Sequence, residues 1–124
     1  MYSYNSYHKI VVALLVVFWA VFHFSQRKGE GLYYENGQVK QTGGTENSLN
    51  EGLWLWFYED GTVQMQGSFH NGNREGIWKR FNEEGLLISE STYKKNKLHG
   101  EYREFDEEGK IILTRYYKND IPQK

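Results

Sequence analysis

The chain begins with a continuous apolar stretch and then changes to short segments in which apolar and polar residues alternate. Residues 10–22 are thirteen consecutive apolar residues. Farther along, the alternation has a period of two, most clearly over residues 63–69, where every second residue is apolar or glycine. Such alternation predicts strands with one apolar and one solvated face. We therefore predict two parts, an N-terminal segment over residues 1–28 and a β-rich repeat domain over residues 29–124.

The apolar stretch predicts one hydrophobic helix. A helix over residues 7–25 would be about 28 Å long, close to the hydrocarbon thickness of a bilayer. Three interpretations are open: an uncleaved membrane anchor, a cleaved signal peptide, and a buried or interfacial helix. Bulky residues at positions where signal peptidase requires small ones disfavour cleavage, and Tyr2, Tyr4 and Tyr7 suit a membrane interface. We therefore expect a membrane-bound, single-pass protein with its repeat domain outside the cytoplasm.

Aligned on itself, the remainder of the chain repeats with a period of 24 residues. Glycine recurs at Gly52, Gly76 and Gly100, and again at Gly37, Gly61, Gly85 and Gly109. Aromatic side chains recur at the same spacing: Trp54, Trp78 and Tyr102; Tyr33, Phe57, Phe81 and Phe105; Phe69, Tyr93 and Tyr117. Self-similarity at a fixed period of this length indicates a repeat architecture, here of about four copies.

Each copy is predicted to be a β-hairpin. Its strands are joined by an acidic turn closed by glycine, such as Glu59-Asp60-Gly61, because glycine permits a positive φ. A second turn leads to the next copy, at Asn47-Ser48, Asn71-Gly72, Lys95-Asn96 and Asn119-Asp120. The predicted fold is mainly β, an elongated antiparallel meander of stacked hairpins preceded by one N-terminal hydrophobic helix. Since a lone hairpin is marginally stable, the recurring aromatic residues are expected to form the core.

The repeat resembles a known family. The stretches "GLWLWFYEDG", "GIWKRFNEEG" and "GEYREFDEEG" are similar to the MORN repeat variant, and the resemblance covers about residues 29–120. The chain also looks like the bacterial proteins that are built only from such repeats and are named YwqK-type antitoxins. This resemblance implies a partner toxin that the protein neutralises. Other MORN-repeat proteins are implicated in phospholipid contact and scaffolding. The N-terminal hydrophobic segment departs from this pattern and directs the implied function toward immunity against an exported toxin.

Charge and composition narrow the classes of function. Lysine and arginine number 15 and aspartate and glutamate number 16, and every acid lies after residue 29. The repeat domain is therefore mildly acidic, which argues against nucleic acid as a partner because nucleic-acid binders normally carry a basic stripe. The chain has no cysteine, which excludes disulfides, thiolate metal sites and a cysteine nucleophile.

No motif predicts catalysis, a metal or a cofactor. The four histidines lack metal-ligand spacing, and no Ser-His-Asp arrangement or glycine-rich phosphate loop is present. The acidic turn residues could line up as a cation-binding ladder, but turn chemistry explains them without any ion. Their recurrence from copy to copy is expected of a structural feature and not of a unique catalytic site. We therefore predict that the protein is not an enzyme and binds no cofactor.

Positions that depart from the repeat are the candidates for recognition, because positions shared between copies maintain the fold. Trp56 occurs where Arg80 and Glu104 occur in later copies, and it lies on the same side of its strand as Trp54 and Tyr58. The candidate partner-binding residues are Trp54, Leu55, Trp56, Tyr58 and Tyr116. A neighbouring cap could equally cover these rings. Replacing Trp56 is expected to affect partner binding more than stability.

A second candidate surface is basic. It comprises Lys94, Lys95, Lys97, Arg115 and Lys118. Stacking could bring these residues together to contact anionic headgroups or an acidic partner, although a solvated turn is the alternative interpretation. Two functions compete. One is a membrane-tethered, non-catalytic protein-binding module, for which the resemblance implies an antitoxin or immunity protein, and the other is an envelope-associated scaffold contacting phospholipid headgroups or glycans.

Overall fold

The computed structural model describes residues 14–19 and 32–124 of the chain. The chain divides into two compact units, Met1–Glu30 and Gly31–Lys124. In the first unit the described residues 14–19 are helical. The predicted boundary between residues 28 and 29 lies outside the described residues and stays a prediction.

The predicted membrane anchor is wrong. A helix needs about 20 consecutive apolar residues to span a bilayer. Among the residues that the structure describes, no helix is long and apolar enough to cross a membrane. The single-pass localisation depended on that helix and is wrong with it. The remainder of the predicted span, residues 7–13 and 20–25, lies outside the described residues.

The second unit is one antiparallel sheet of eight strands in the order β1-β2-β3-β4-β5-β6-β7-β8, which confirms the predicted meander. The strands are β1 Gln41–Glu46, β2 Leu49–Phe57, β3 Val63–His70, β4 Asn73–Phe81, β5 Leu87–Lys94, β6 Lys97–Phe105, β7 Ile111–Lys118 and β8 Ile121–Pro122. An isolated bridge between Tyr33 and Val39 precedes them. Each strand pairs with the next along the chain, so the predicted hairpins of the second, third and fourth copies are β2/β3, β4/β5 and β6/β7, whereas the first copy is represented by the isolated bridge and β1.

Two-residue turns connect successive copies where the sequence predicts them. Both residues of each turn have positive φ, for example 47° at Lys95 and 68° at Asn96. Positive φ at both central positions is the conformation of a type I′ hairpin turn, whose twist matches that of the flanking strands. The local sequence therefore fixes the connection between copies.

The acidic turns within each copy are closed by side chains as well as by glycine. At the second copy, the Gly61 N–H donates to the Tyr58 carbonyl at 3.0 Å. The Asp60 carboxylate accepts the Thr62 N–H at 2.9 Å and the Thr62 hydroxyl, which holds the pKa of Asp60 below its usual value. Asn36 accepts the Gln38 N–H in the same way one copy earlier, so turn formation explains an aspartate or asparagine at this position. In the third and fourth copies Asn82 and Asp106, at the repeat position of Tyr58, accept the turn N–H groups instead.

The sheet has no second layer among residues 32–124, so few side chains are deeply buried. Among the described hydrophobic side chains, Trp78 is the buried one, with 6% of its surface exposed. Its ring lies in the middle of a row that also contains Phe69, 5.0 Å away between centroids, and Tyr93, 6.0 Å away. The predicted aromatic row is therefore present, but most of its members are only half-buried.

The two indole rings of the recurring tryptophan position lie flat against glycines on the preceding strand. A Cβ atom added at Gly67 would overlap the Trp78 ring, and one added at Gly43 would overlap the Trp54 ring. The Trp78 Nε1–H donates to the Ser68 carbonyl at 3.2 Å, and the Trp54 Nε1–H donates to the Gly44 carbonyl at 3.0 Å. The small residue opposite each tryptophan is therefore required by ring packing.

Candidate binding surface

Residues paired across neighbouring strands point to the same face of a sheet, so the register assigns each side chain to one of two faces. The row that we call the aromatic face contains Gln41, Trp56, Met65, Arg80, Ser89, Glu104 and Leu113. The adjacent row, on the polar face, contains Thr42, Leu55, Gln66, Lys79, Glu90, Arg103 and Thr114. The two faces therefore differ in chemistry.

An open groove of about 460 Å³ lies on the aromatic face. We call it the aromatic groove; its lining residues are Trp56, Met65, Phe69, Gly72, Arg74, Trp78, Arg80, Ser91, Tyr93 and Asn96. These residues come from β2 to β5 and from two of the connecting turns, so the groove crosses two successive copies. Its lining combines apolar rings with arginine and asparagine side chains.

The rings in the groove pack edge to face and at a tilt. The Trp56 and Trp78 centroids are 5.5 Å apart, and the Phe69 ring meets the Trp78 ring at an angle of 88°. These separations lie in the range at which aromatic pairs attract beyond simple area burial. The rings therefore support one another and present a fixed apolar surface.

Arg74 forms one rigid side of the groove. Its guanidinium carbon lies 4.1 Å from the centroid of the Tyr93 ring. Its Nε–H donates to the Asn96 Oδ1 at 2.6 Å, and its Nη2–H donates to the Asn96 carbonyl at 3.2 Å. A cation held over a ring and tied to a turn loses little conformational freedom when a ligand arrives.

Four segments of the chain match the family model of the MORN repeat variant, residues 32–47, 50–71, 74–95 and 98–119. Together they cover more than half of the sequence. The chain belongs to the MORN repeat variant family. Each matched MORN repeat is a hairpin followed by the connecting turn, as the sequence predicts. A comparison with curated proteins found no match.

MORN repeats are generally binding modules, and the family is generally non-catalytic. The match identifies the family and does not identify the antitoxin subtype. Residues 14–19 and 32–124 contain no group of three His, Cys, Asp or Glu side chains that could hold a metal ion. Interpretation of the function therefore depends on the surfaces that the MORN repeats present.

The five candidate partner-binding residues do not form one surface. Trp54 and Trp56 lie on the aromatic face with centroids 6.0 Å apart. Leu55 and Tyr116 lie on the polar face, where the Tyr116 hydroxyl donates to the Glu101 carboxylate at 3.2 Å. Tyr58 lies at the acidic turns and donates its hydroxyl to the Phe81 carbonyl at 2.7 Å. Of the five, only the two tryptophans are brought together.

Trp56 also has a packing function in the MORN array. It is half-buried, its ring contacts Trp54, Phe69 and Trp78, and its Nε1–H donates to the Gln41 Oε1 at 3.1 Å. Removing the ring would therefore remove contacts in two neighbouring hairpins. The expectation that replacing Trp56 affects binding more than stability is not consistent with this packing.

The basic candidates separate in a similar way. Lys94, Lys95 and Lys97 line one hollow of about 390 Å³ together with His99 and Asn119; we call it the basic hollow. Arg115 instead lies opposite Tyr102 on the aromatic face, and Lys118 lies opposite Ile121 at the end of the array. The structure therefore groups three of the five predicted cations.

Arg74 and Met65 contribute to the groove but were not among the predicted site residues. Asn50, Arg74 and Leu98 occupy the same repeat position. These three residues differ chemically, so the departure of Arg74 from the repeat is visible in the sequence. The repeat pattern alone does not show that a residue directly after a connecting turn lies beside the rings of the groove. The alternation over residues 63–69 places Met65 on the apolar side of its strand. Alternation with a period of two does not show which apolar residues line an open groove.

The polar face carries a ladder of charges across β4 to β6. The Lys79 Nζ lies 3.8 Å from the Glu90 carboxylate, and the Arg103 Nε lies 3.9 Å from Glu90 and 2.9 Å from Glu101. These side chains are partly exposed, and exposed ion pairs stabilise a protein little. The ladder leaves this part of the polar face close to charge balance.

An exposed ion pair ties the turn between β3 and β4 to β2. The Glu51 carboxylate accepts the Asn71 N–H at 2.8 Å and contacts the His70 Nδ1 at 3.0 Å. The hydrogen bond from the Asn71 N–H is the main cause that lowers the pKa of Glu51, and the hydrogen bond with His70 is the second cause. The hydrogen bond and charge of Glu51 raise the pKa of His70.

We expect this pair to make stability weakly dependent on pH. The raised His70 pKa stabilises the fold fully below the ordinary histidine pKa, and the effect is lost as pH rises through the folded-state value. The lowered Glu51 pKa stabilises the fold above the ordinary glutamate pKa and is lost as pH falls through the folded-state value. An NMR titration of the His70 ring should show its pKa falling toward the ordinary value in Glu51→Gln. An unchanged His70 pKa in that variant would contradict the pairing.

Proposed function

We propose that the protein is a non-catalytic protein-binding module whose aromatic groove receives a partner segment with apolar side chains and a carboxylate. The observation that carries the proposal is the groove itself, in which Trp56, Phe69 and Trp78 form a packed apolar surface that no second layer covers among residues 32–124. Fixed aromatic surfaces with nearby arginine are the composition of binding hot spots.

The apolar part of the partner is inferred from the rings and the methionine. Trp56, Met65 and Phe69 are half-buried, so each retains apolar surface that a partner would remove from water. Burial of apolar surface contributes about 25 cal/mol per Å². Met65 adds a flexible side chain that adapts to the shape of what it contacts.

The acidic part of the partner is inferred from Arg80. Its side chain is exposed at the groove, and it has no ion pair with any residue in the described part of the chain. Arg74 is in contrast already bonded to Asn96. A free guanidinium beside an apolar surface favours a carboxylate, which it binds through two parallel hydrogen bonds.

The proposal is tested by selecting displayed random peptides against the full-length protein. We expect enrichment of peptides that combine aromatic or aliphatic residues with aspartate or glutamate. Arg80→Glu should weaken the selected peptides about tenfold, roughly 1.4 kcal/mol, because the acidic group then meets a like charge. Arg115→Glu is the matched control, since it makes the same change on the same face opposite Tyr102, away from the groove, and it should leave affinity unchanged.

Two outcomes would overturn the proposal. One is that the selected peptides bind the wild-type protein and Arg80→Glu equally well, while Arg80→Glu and Arg115→Glu both melt at the wild-type temperature. The other is enrichment of peptides without acidic residues.

The antitoxin or immunity function is the finer form of this proposal. It is supported by the resemblance to YwqK-type antitoxins alone, and it requires the bound segment to belong to a toxin. Co-expression tests it: the protein should rescue growth of cells that produce the partner, and Arg80→Glu should fail to rescue. Rescue by Arg80→Glu as well would show that any antitoxin activity does not depend on the aromatic groove.

A scaffold that contacts phospholipid headgroups is the second candidate function. The grouping of Lys94, Lys95 and Lys97 around one hollow supports it, because anionic headgroups are attracted to clustered lysines. Sedimentation of the full chain with vesicles tests it. Binding that does not depend on the anionic lipid fraction would count against this function.

A further inference from the structure

In the second and third copies, the turn that leads to the next MORN repeat is tied to its hairpin by two backbone N–H groups. The N–H of the second turn residue donates to a carbonyl in all three of the later copies: Gly72 to Asn50, Asn96 to Arg74 and Asp120 to Leu98, at 2.8 to 3.0 Å. The N–H of the first turn residue donates to a glutamate carboxylate, Asn71 to Glu51 at 2.8 Å and Lys95 to Glu75 at 3.0 Å.

The last copy lacks the second of these contacts. His99 occupies the repeat position of Glu51 and Glu75, and within residues 32–124 the Asn119 N–H has no acceptor. The His99 Nδ1 is shielded from water and has no hydrogen-bond partner in the same range. The histidine therefore has not replaced the carboxylate, and the turn N–H is left unpaired.

Asn119 is one of the residues that line the basic hollow, together with Lys94, Lys95, Lys97 and His99. Two carboxylates lie on neighbouring positions, and both are engaged elsewhere. Glu75 accepts the Lys95 N–H, and Asp120 accepts the Leu98 N–H at 2.7 Å. The hollow therefore combines three ammonium groups with a turn donor and has no acid of its own in the lining.

We propose that the basic hollow binds a carboxylate supplied by a partner protein, either an acidic side chain or a chain terminus. The bound group would take the place that Glu51 and Glu75 take in the preceding copies, accepting the Asn119 N–H while the lysines balance its charge. A carboxylate is favoured over other anions because the same turn already receives one twice in this chain. The protein origin of the carboxylate rests on the proposed function, whereas the anion site itself does not.

The site is tested in the full chain by following backbone amides in ¹⁵N NMR spectra during titration with sodium acetate. We expect the Asn119 amide to shift in a saturable way. The Asn71 amide is the internal control, because it is already bonded to Glu51 in a turn outside the basic hollow, and it should not shift. A parallel titration with sodium phosphate at matched ionic strength separates the two kinds of anion.

His99→Glu supplies the missing carboxylate from within the chain. It should abolish the acetate-dependent shift of Asn119 and raise the melting temperature, as a filled cap stabilises the turn. His99→Ala is the matched comparison, because it removes the imidazole and supplies neither a charge nor an acceptor, so a shift that is lost in His99→Glu and retained in His99→Ala is due to the carboxylate. The dispersed spectrum of each variant reports that the sheet remains folded.

Three results would overturn the inference. Absence of a saturable Asn119 shift removes the anion site, and a shift with phosphate but not acetate removes the assignment to carboxylate in favour of a phosphate group. Persistence of the acetate shift in His99→Glu would place the anion elsewhere. The acetate titration does not involve the aromatic groove, so its outcome is independent of the peptide selection with Arg80→Glu.

Discussion

Replacing Trp78 with alanine is expected to lower the free energy of unfolding by about 3–5 kcal/mol. Trp78 is the buried hydrophobic residue of the described chain, at 6% exposure, and its ring contacts Trp56, Phe69 and Tyr93. Removing it leaves a gap between two hairpins, and in a single-layer sheet no other layer among residues 32–124 can move in to fill it. Urea unfolding followed by tryptophan fluorescence or circular dichroism measures the loss.

Trp54→Ala is the matched control for this prediction. Trp54 occupies the same position one repeat earlier and makes the same type of indole hydrogen bond, but it is only half-buried. Its replacement should therefore destabilise the protein less. Equal losses for the two variants would show that burial does not determine the contribution of this position.

Gly67→Ala is expected to destabilise the protein by about 1–3 kcal/mol, although it adds only one methyl group. The backbone φ of Gly67 is not in the positive range, so alanine meets no conformational strain there. The loss arises because the new Cβ would overlap the Trp78 ring and displace it from its contacts. Gly44→Ala is the control, since a Cβ there comes no closer than 3.5 Å, to the Glu51 carbonyl, and φ is again not positive.

A double substitution identifies the cause of the Gly67 effect. In the third copy the corresponding pair is Ser91 opposite Tyr102, so a smaller ring tolerates a Cβ. Gly67→Ser combined with Trp78→Tyr copies that pair and should be less destabilising than the sum of the two single changes. Additive losses from thermal or urea unfolding would contradict ring overlap as the cause.

The fold could be predicted because local signals agree with one another. Asn71-Gly72 and Lys95-Asn96 adopt the positive φ that a two-residue hairpin turn requires, and the 24-residue spacing carries the same hairpin through the chain. The membrane anchor was wrong for a different reason. Hydropathy counts apolar residues and does not by itself establish a membrane-spanning helix, and none is found among the residues that the structure describes.

The candidate site was only partly predictable, because it depends on which residues meet across strands. Leu55 and Trp56 are neighbours in the sequence yet lie on opposite faces, and Tyr116 belongs to a strand five positions along the sheet from theirs. Comparing copies finds unusual residues but does not show where they lie relative to each other. The Asn119 turn is recognised as lacking a carboxylate acceptor only from the hydrogen bonds that Glu51 and Glu75 make in the preceding copies. The sequence shows that His99 differs from these two residues but does not show what the difference changes.

The strand order has a consequence for how such a chain diversifies. Because every strand pairs only with the strands before and after it, the effects of a substitution reach the adjacent hairpins and fade beyond them. One copy can therefore carry a different residue at a shared position, as the last does with His99, without readjustment of the others. Recognition in this architecture is modular, and different copies are free to evolve separate binding sites on a shared framework.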